Sequence, residues 1–145
     1  MATGTWVIYD QFSYKLGTKV LNLTLDTIKI ALYQSTSNVG NKSLATATYG
    51  SATNEVAAAN GYTAGGATAA ATWTNASGLE TFDCADVSWT AAGGNIVARF
   101  AVIYDSTTGD LIAYVLLDTA PADVTIAAGS TLQLQINVAG VFTLG

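Results

Sequence analysis

A chain of 145 residues with a net charge of −5 is long enough for one domain with its own core, and too acidic for nucleic-acid recognition, which needs a basic face. Only 10% of the residues are charged, against about 25% in an average soluble domain, yet aromatic and β-branched residues are too frequent for disorder. The apolar runs are cut by Arg99, Asp105, Asp110 and Asp118 before any reaches the about 20 residues a membrane helix needs, and several are apolar on both faces, unlike the strands of a membrane barrel.

In chain order, residues 9–23 place Phe12, Leu16, Lys19, Val20 and Leu23 at helical spacing, while Gly17 and the Thr and Asn content oppose it. At most one short helix, over 9–16, is expected. Residues 27–33 (TIKIALY) alternate Ile28, Ile30 and Leu32 against Lys29, Ala31 and Tyr33 and predict a strand. Residues 35–75 are rich in Ala, Gly, Thr, Ser and Asn and almost lack Leu, Ile and Val, so they cannot build a core alone. A long loop or arm follows, one that would lie on a neighbour in an assembly with Tyr62 and Trp73 as anchors.

Residues 80–89 (ETFDCADVSW) alternate with a slip between Cys84 and Val87, which predicts a strand with a bulge near Ala85 and Asp86. Residues 95–104 and 111–117 are apolar on both faces apart from Arg99 and flank DSTTGD, a hairpin whose turn is closed by Gly109. Strands of that kind lie centrally, or between their own core and a partner. Arg99 there must either pair, with Asp83, Asp86 or another subunit's carboxylate, or reach solvent along its stem. After a loop at 118–123 that holds Pro121, residues 124–126 form a short strand. Residues 131–138 (TLQLQINV) then set Leu132, Leu134, Ile136 and Val138 against Thr131, Gln133, Gln135 and Asn137, a half-buried strand whose outer face is polar but uncharged. A last strand spans 141–144. The fold class is therefore all-β: one antiparallel β-sandwich or jelly-roll-like domain over 1–145, with seven to eight strands and 35–75 as its loop or arm.

Chemistry is thinly represented. There is no His, no G-x-S-x-G or S-x-x-K motif, and Cys84 shares the apolar parity of Phe82, where a thiol is an inert small hydrophobe. Glu80, Asp83 and Asp86 are the densest acidic cluster and read as solvated charges rather than as a glycosidase pair. The DSTTGD loop lacks an EF-hand's ligand pattern and reads as a turn. No catalytic, cofactor or metal site is expected, and the Met-Ala-Thr start has no secretory pattern, which points to synthesis in a cytoplasm.

The ordered set DTIKIAL (26–32), NEV (54–56), GYTAGGA (61–67), FDCADVSW (82–89) and ARFAVIY (98–104) is similar to a family of small virion structural proteins of tailed bacteriophages, over about residues 9–144. The resemblance implies a capsid decoration, or cement, protein with no catalytic residues. It would be made in the bacterial host's cytoplasm and seated on the capsid surface as a homo-oligomer, a trimer or similar, clamping the major capsid protein where capsomers meet. Residues 44–51 depart from this pattern and match no anchoring arm. Expected interface residues are Tyr62, Trp73, Arg99, Gln133, Gln135 and Asn137. The alternative is a tail-fibre, tail-tip or receptor-binding module with a glycan groove walled by Trp73, Trp89 and Tyr62.

Overall fold

The computed structural model describes residues 3–120 and 122–145. Among them, in chain order, are β1 (Val7–Ile8), α1 (Phe12–Gly17), β2 (Ile28–Tyr33), β3 (Ala67–Thr68), β4 (Ala71–Ala76), β5 (Leu79–Cys84) and β6 (Val87–Thr90). They are followed by β7 (Ile96–Ala98), β8 (Phe100–Asp105), β9 (Leu111–Leu116), β10 (Val124–Ile126), β11 (Thr131–Leu134) and β12 (Phe142–Leu144). Every strand pairing is antiparallel. The all-β class is as expected, and the helix is six residues long, displaced toward Gly17.

Among the described residues there are twelve strands rather than seven or eight: two expected strands are each divided between sheets, β1 precedes the helix, and β3 and β4 form at the end of the 35–75 segment expected to be loop or arm. The slip after Cys84 is not a bulge: β5 pairs with β4 and β12, whereas β6 pairs with β11. At Arg99 the chain likewise leaves β7, which pairs with β10, and enters β8 of the main sheet. Changing sheets at a corner lets each half keep its apolar face toward the core when a single flat strand could not. Residues 131–138 are also shorter as a strand than expected. Pairing stops at Leu134, and a turn in which Asn137 accepts from Ala139 and Gly140 carries Val138 outward to 99% exposure.

The main sheet has the order β1-β9-β8-β2-β3, with β8 and β9 forming the expected hairpin. Its turn is closed by Gly109 at φ 87 and by Asp105 Oδ1, which accepts from the Thr107 and Thr108 amides. One face sends Ile28, Ile30, Leu32, Ile103, Ile112 and Val115 into a core completed by side chains of the smaller sheets, Phe82, Trp89, Ile96 and Leu132 among them. Each such aliphatic side chain contributes about 1.5–3 kcal/mol by leaving water.

The opposite face carries Ala31, Tyr33, Phe100, Val102 and Tyr104, and the chain's own residues 38–55 cover it through Val39, Leu44, Ala47, Tyr49 and Ala52. The double burial of the hairpin is thus met from within the chain. Two 3-10 turns and two isolated bridges, Tyr33 to Glu55 and Thr48 to Asp110, lay this segment down. Pro121 lies outside the described residues.

Candidate interaction surface

The most organised polar cluster fastens the long segment to the sheet. Glu55 Oε1 accepts from the Tyr62 hydroxyl at 2.7 Å and from the Gly65 amide at 2.6 Å, and Oε2 accepts from the Tyr49 hydroxyl at 2.6 Å. The Tyr62 hydroxyl in turn accepts from the Leu32 amide of β2, and the Tyr104 hydroxyl donates to the Gly65 carbonyl. Rings of Tyr49 and Tyr104 stack with centroids 4.8 Å apart. Burial, and then the carboxylate beside it, raises the Tyr62 phenol far above its usual range. Tyr104 is pushed up to about 12, again mainly by burial. Phenols held protonated and engaged as donors to Glu55 and the backbone fix a loop; they offer no base or nucleophile.

Tyr62 is therefore not the exposed anchor expected of it. It is 3% exposed because its hydroxyl has two partners inside the domain and its ring sits near Trp89, itself buried. The same burial removes two of the three walls of the expected glycan groove. It also means that residues 62–67 cannot be deleted harmlessly, since Gly66 packs against the Ile30 carbonyl.

Arg99, half-buried at the corner between β7 and β8, donates to the Ala120 carbonyl and, at 2.6 Å, to that of Ala122. Asp83 and Asp86 are not its partners: Asp83 accepts from the Cys84 amide and Asp86 from the Ile136 amide. The guanidinium found carbonyls because Ala120 and Ala122 lie within its reach at the corner, whereas the two aspartates are engaged by backbone amides elsewhere. Cys84 is buried, and that burial, with the Asp83 charge adding, pushes its thiol up to about 12. Among the described residues no three His, Cys, Asp or Glu side chains converge on a metal-binding geometry, and no described helix is long and apolar enough to cross a membrane.

What the domain does offer is charge-poor, unguarded surface. Strand β4 (ATWTNA) is the edge of its sheet, and no described strand pairs with its outer side. Natural edges of this length are usually protected by Lys, Pro or a bulge; β4 has none of these, and it turns regularly into β5 through Ser77 and Gly78 at φ 54 and 81. Beside it lies an open groove of about 420 Å³ walled by Leu16, Leu21, Leu23 and Trp73, with Lys19 at its rim. Leu25, 81% exposed, and Tyr14, 74% exposed, stand on the neighbouring segments.

A second charge-poor area is carried by β6 and β11, whose outward side chains Ser88, Thr90, Thr131 and Gln133 are all exposed. It continues through Gln135 and Asn137 to Val138, with Asp86 as the one charge beside them. Three of the expected interface residues, Gln133, Gln135 and Asn137, thus share one surface, Trp73 belongs to the other, and Arg99 and Tyr62 serve the interior fold.

Sequence reasoning missed Glu55 and the Leu16–Leu23 wall. A lone acid in a neutral stretch was the available signal for the first; the second depends on a turn at Lys19, φ 61, that no pattern announces. No protein-family model, curated protein or solved structure matches the chain.

Proposed function

We propose that this chain is a structural subunit of a tailed-phage virion, a capsid decoration protein that binds the assembled head shell as an oligomer and stabilises it. The observation that carries the reading is the pair of charge-poor surfaces, the unguarded β4 edge with its Trp73 groove, where Lys19 is the one charge, and the Gln133–Val138 area, where Asp86 is. A subunit that must contact both its own copies and a shell needs two such faces, and charge-poor surface with aromatic content is what interface cores are made of. The partner in this reading, the major capsid protein, follows from the resemblance of the ordered segments between residues 26 and 104 to small phage virion proteins. The polar groups of the best-organised cluster are engaged in holding the fold, which agrees with a role in binding rather than turnover.

Such a protein stabilises the shell by linkage: it binds the assembled state and not the dissociated capsomers, so each occupied joint raises the free energy of opening. The test uses heads purified without this chain, to which recombinant protein is added and counted per head by cryo-electron microscopy. Wild-type protein is expected to saturate symmetric positions and to raise the temperature of head disruption, and Gln133→Glu or Val138→Asp to lower occupancy with the free subunit still folded. Absence of bound wild-type protein at micromolar concentration would refute the reading.

A further inference from the structure

The loop that precedes β2 and the hairpin turn after β8 meet through two acids. Asp105 is 0% exposed, and although its Oδ1 accepts from Thr107 and Thr108, its Oδ2 has no donor. The side chain in hydrogen-bonding contact with it is another carboxyl, that of Asp26, whose own Oδ2 accepts from the Asn22 amide at 2.7 Å. Two carboxylates both accept and cannot bond to each other; a single proton between them satisfies both.

Among the described residues no Lys or Arg forms an ion pair with either acid: Lys19 lines the Trp73 groove, and Arg99 is engaged by the Ala120 and Ala122 carbonyls. Lys15, from α1, is bound to Asp110 at the far end of the turn. Lys29, on β2, sits opposite Tyr104 and therefore on the other face of the sheet from Asp105, which is opposite Ile28. Lys42 is bound to Asp10. The remaining groups against the turn are neutral: Ser106 donates to the Thr27 carbonyl and the Thr27 amide donates to Thr107.

We propose that Asp105, fully buried with an otherwise unpartnered Oδ2, keeps its proton and donates it to Asp26, a pH-sensitive latch that closes the 22–27 loop, with its exposed Leu25, onto the β8–β9 hairpin. Burial, and next the Asp26 carboxyl, lift Asp105 above the ordinary carboxylate range. Between the ordinary value and the raised one the folded chain keeps a proton that the unfolded chain has lost. The latch therefore contributes fully at acid pH and weakens as pH rises through the raised value. When it opens, like charges face each other across the joint and the loop that carries Leu25 beside the Trp73 groove is released.

The test is the full-length chain, melted at a series of pH values from 4 to 9 as wild type, Asp26→Asn and Asp105→Asn. Wild type is expected to lose midpoint temperature as pH rises. Asp105→Asn is expected to flatten that slope, because its amide oxygen can serve Thr107 and Thr108 while its NH₂ donates to Asp26. Should the variant fail to fold, the ¹³C carboxyl titration of wild-type Asp105 decides alone, and ionisation in the ordinary range overturns the proposal. Parallel slopes in all three proteins overturn it as well. So does a midpoint rise on adding millimolar calcium that Asp105→Asn abolishes, since a cation would then occupy the proton's place.

Discussion

Replacing Glu55 tests whether the long segment is held by one carboxylate. Glu55→Ala deprives three donors at once: the Tyr62 hydroxyl, the Gly65 amide and the Tyr49 hydroxyl. A hydrogen bond to a charged group is worth about 1.5–3 kcal/mol, and a buried group left unpaired costs about 1–3 kcal/mol. Tyr49 is part-exposed and can turn to water, so the inward pair dominates and the loss should be about 3–5 kcal/mol, a large share of a total of about 5–15.

Glu55→Gln keeps an oxygen for Tyr62 and Gly65 and offers Tyr49 an amide, so it should cost only about 1–2 kcal/mol. Urea unfolding followed by Trp fluorescence gives both numbers, and hydrogen exchange should show residues 47–66 losing protection before the sheet does. Equal stabilities for the two variants, or a Glu55→Ala loss below about 1 kcal/mol, would refute the assignment of Glu55 as the fastening group.

Gly66→Ala should abolish folding or cost more than about 3 kcal/mol, because Gly66 has φ 72 and a Cβ there would run into the Ile30 carbonyl of β2; circular dichroism of the purified variant checks it. Cys84 should resist alkylation at pH 8 in the folded chain and react promptly in denaturant. Between the ordinary thiol value of 9.0 and about 12 the unfolded state loses a proton that the folded state keeps. Stability should therefore fall with pH across that window, and less so in Cys84→Ala. Rapid native labelling would contradict the buried assignment.

Much of the centre of this fold was legible because alternation is a local signal. Residues 27–33 and the two runs around DSTTGD read as strands, and the burial of the two runs on both faces followed from their having almost no polar face to show to water. The division of 80–89 and 95–104 between sheets was visible only as a slipped parity and a lone Arg99. A bulge and a sheet change leave the same trace in sequence, and only the position of the partner strands separates them.

Segment 35–75 shows the limit most clearly. Its composition reads as unable to make a core alone, but whether it covers its own sheet or a neighbour depends on Glu55, Tyr62 and Tyr104 meeting across tens of residues, which no spacing rule encodes. The candidate surface has the same history: the neutral face of Gln133, Gln135 and Asn137 was readable from alternation, whereas Val138 moved outward because a turn ended the strand.

The sequence by itself determined the all-β class, the doubly buried hairpin and the shortage of charge, since periodicity and composition are properties of neighbouring residues. Tertiary structure alone decided which segment covers the hairpin, which edge remains open, and that Asp26 and Asp105 face each other. Those depend on contacts between residues far apart in the chain, where small differences in packing and hydrogen bonding select one arrangement among several that the local pattern allows.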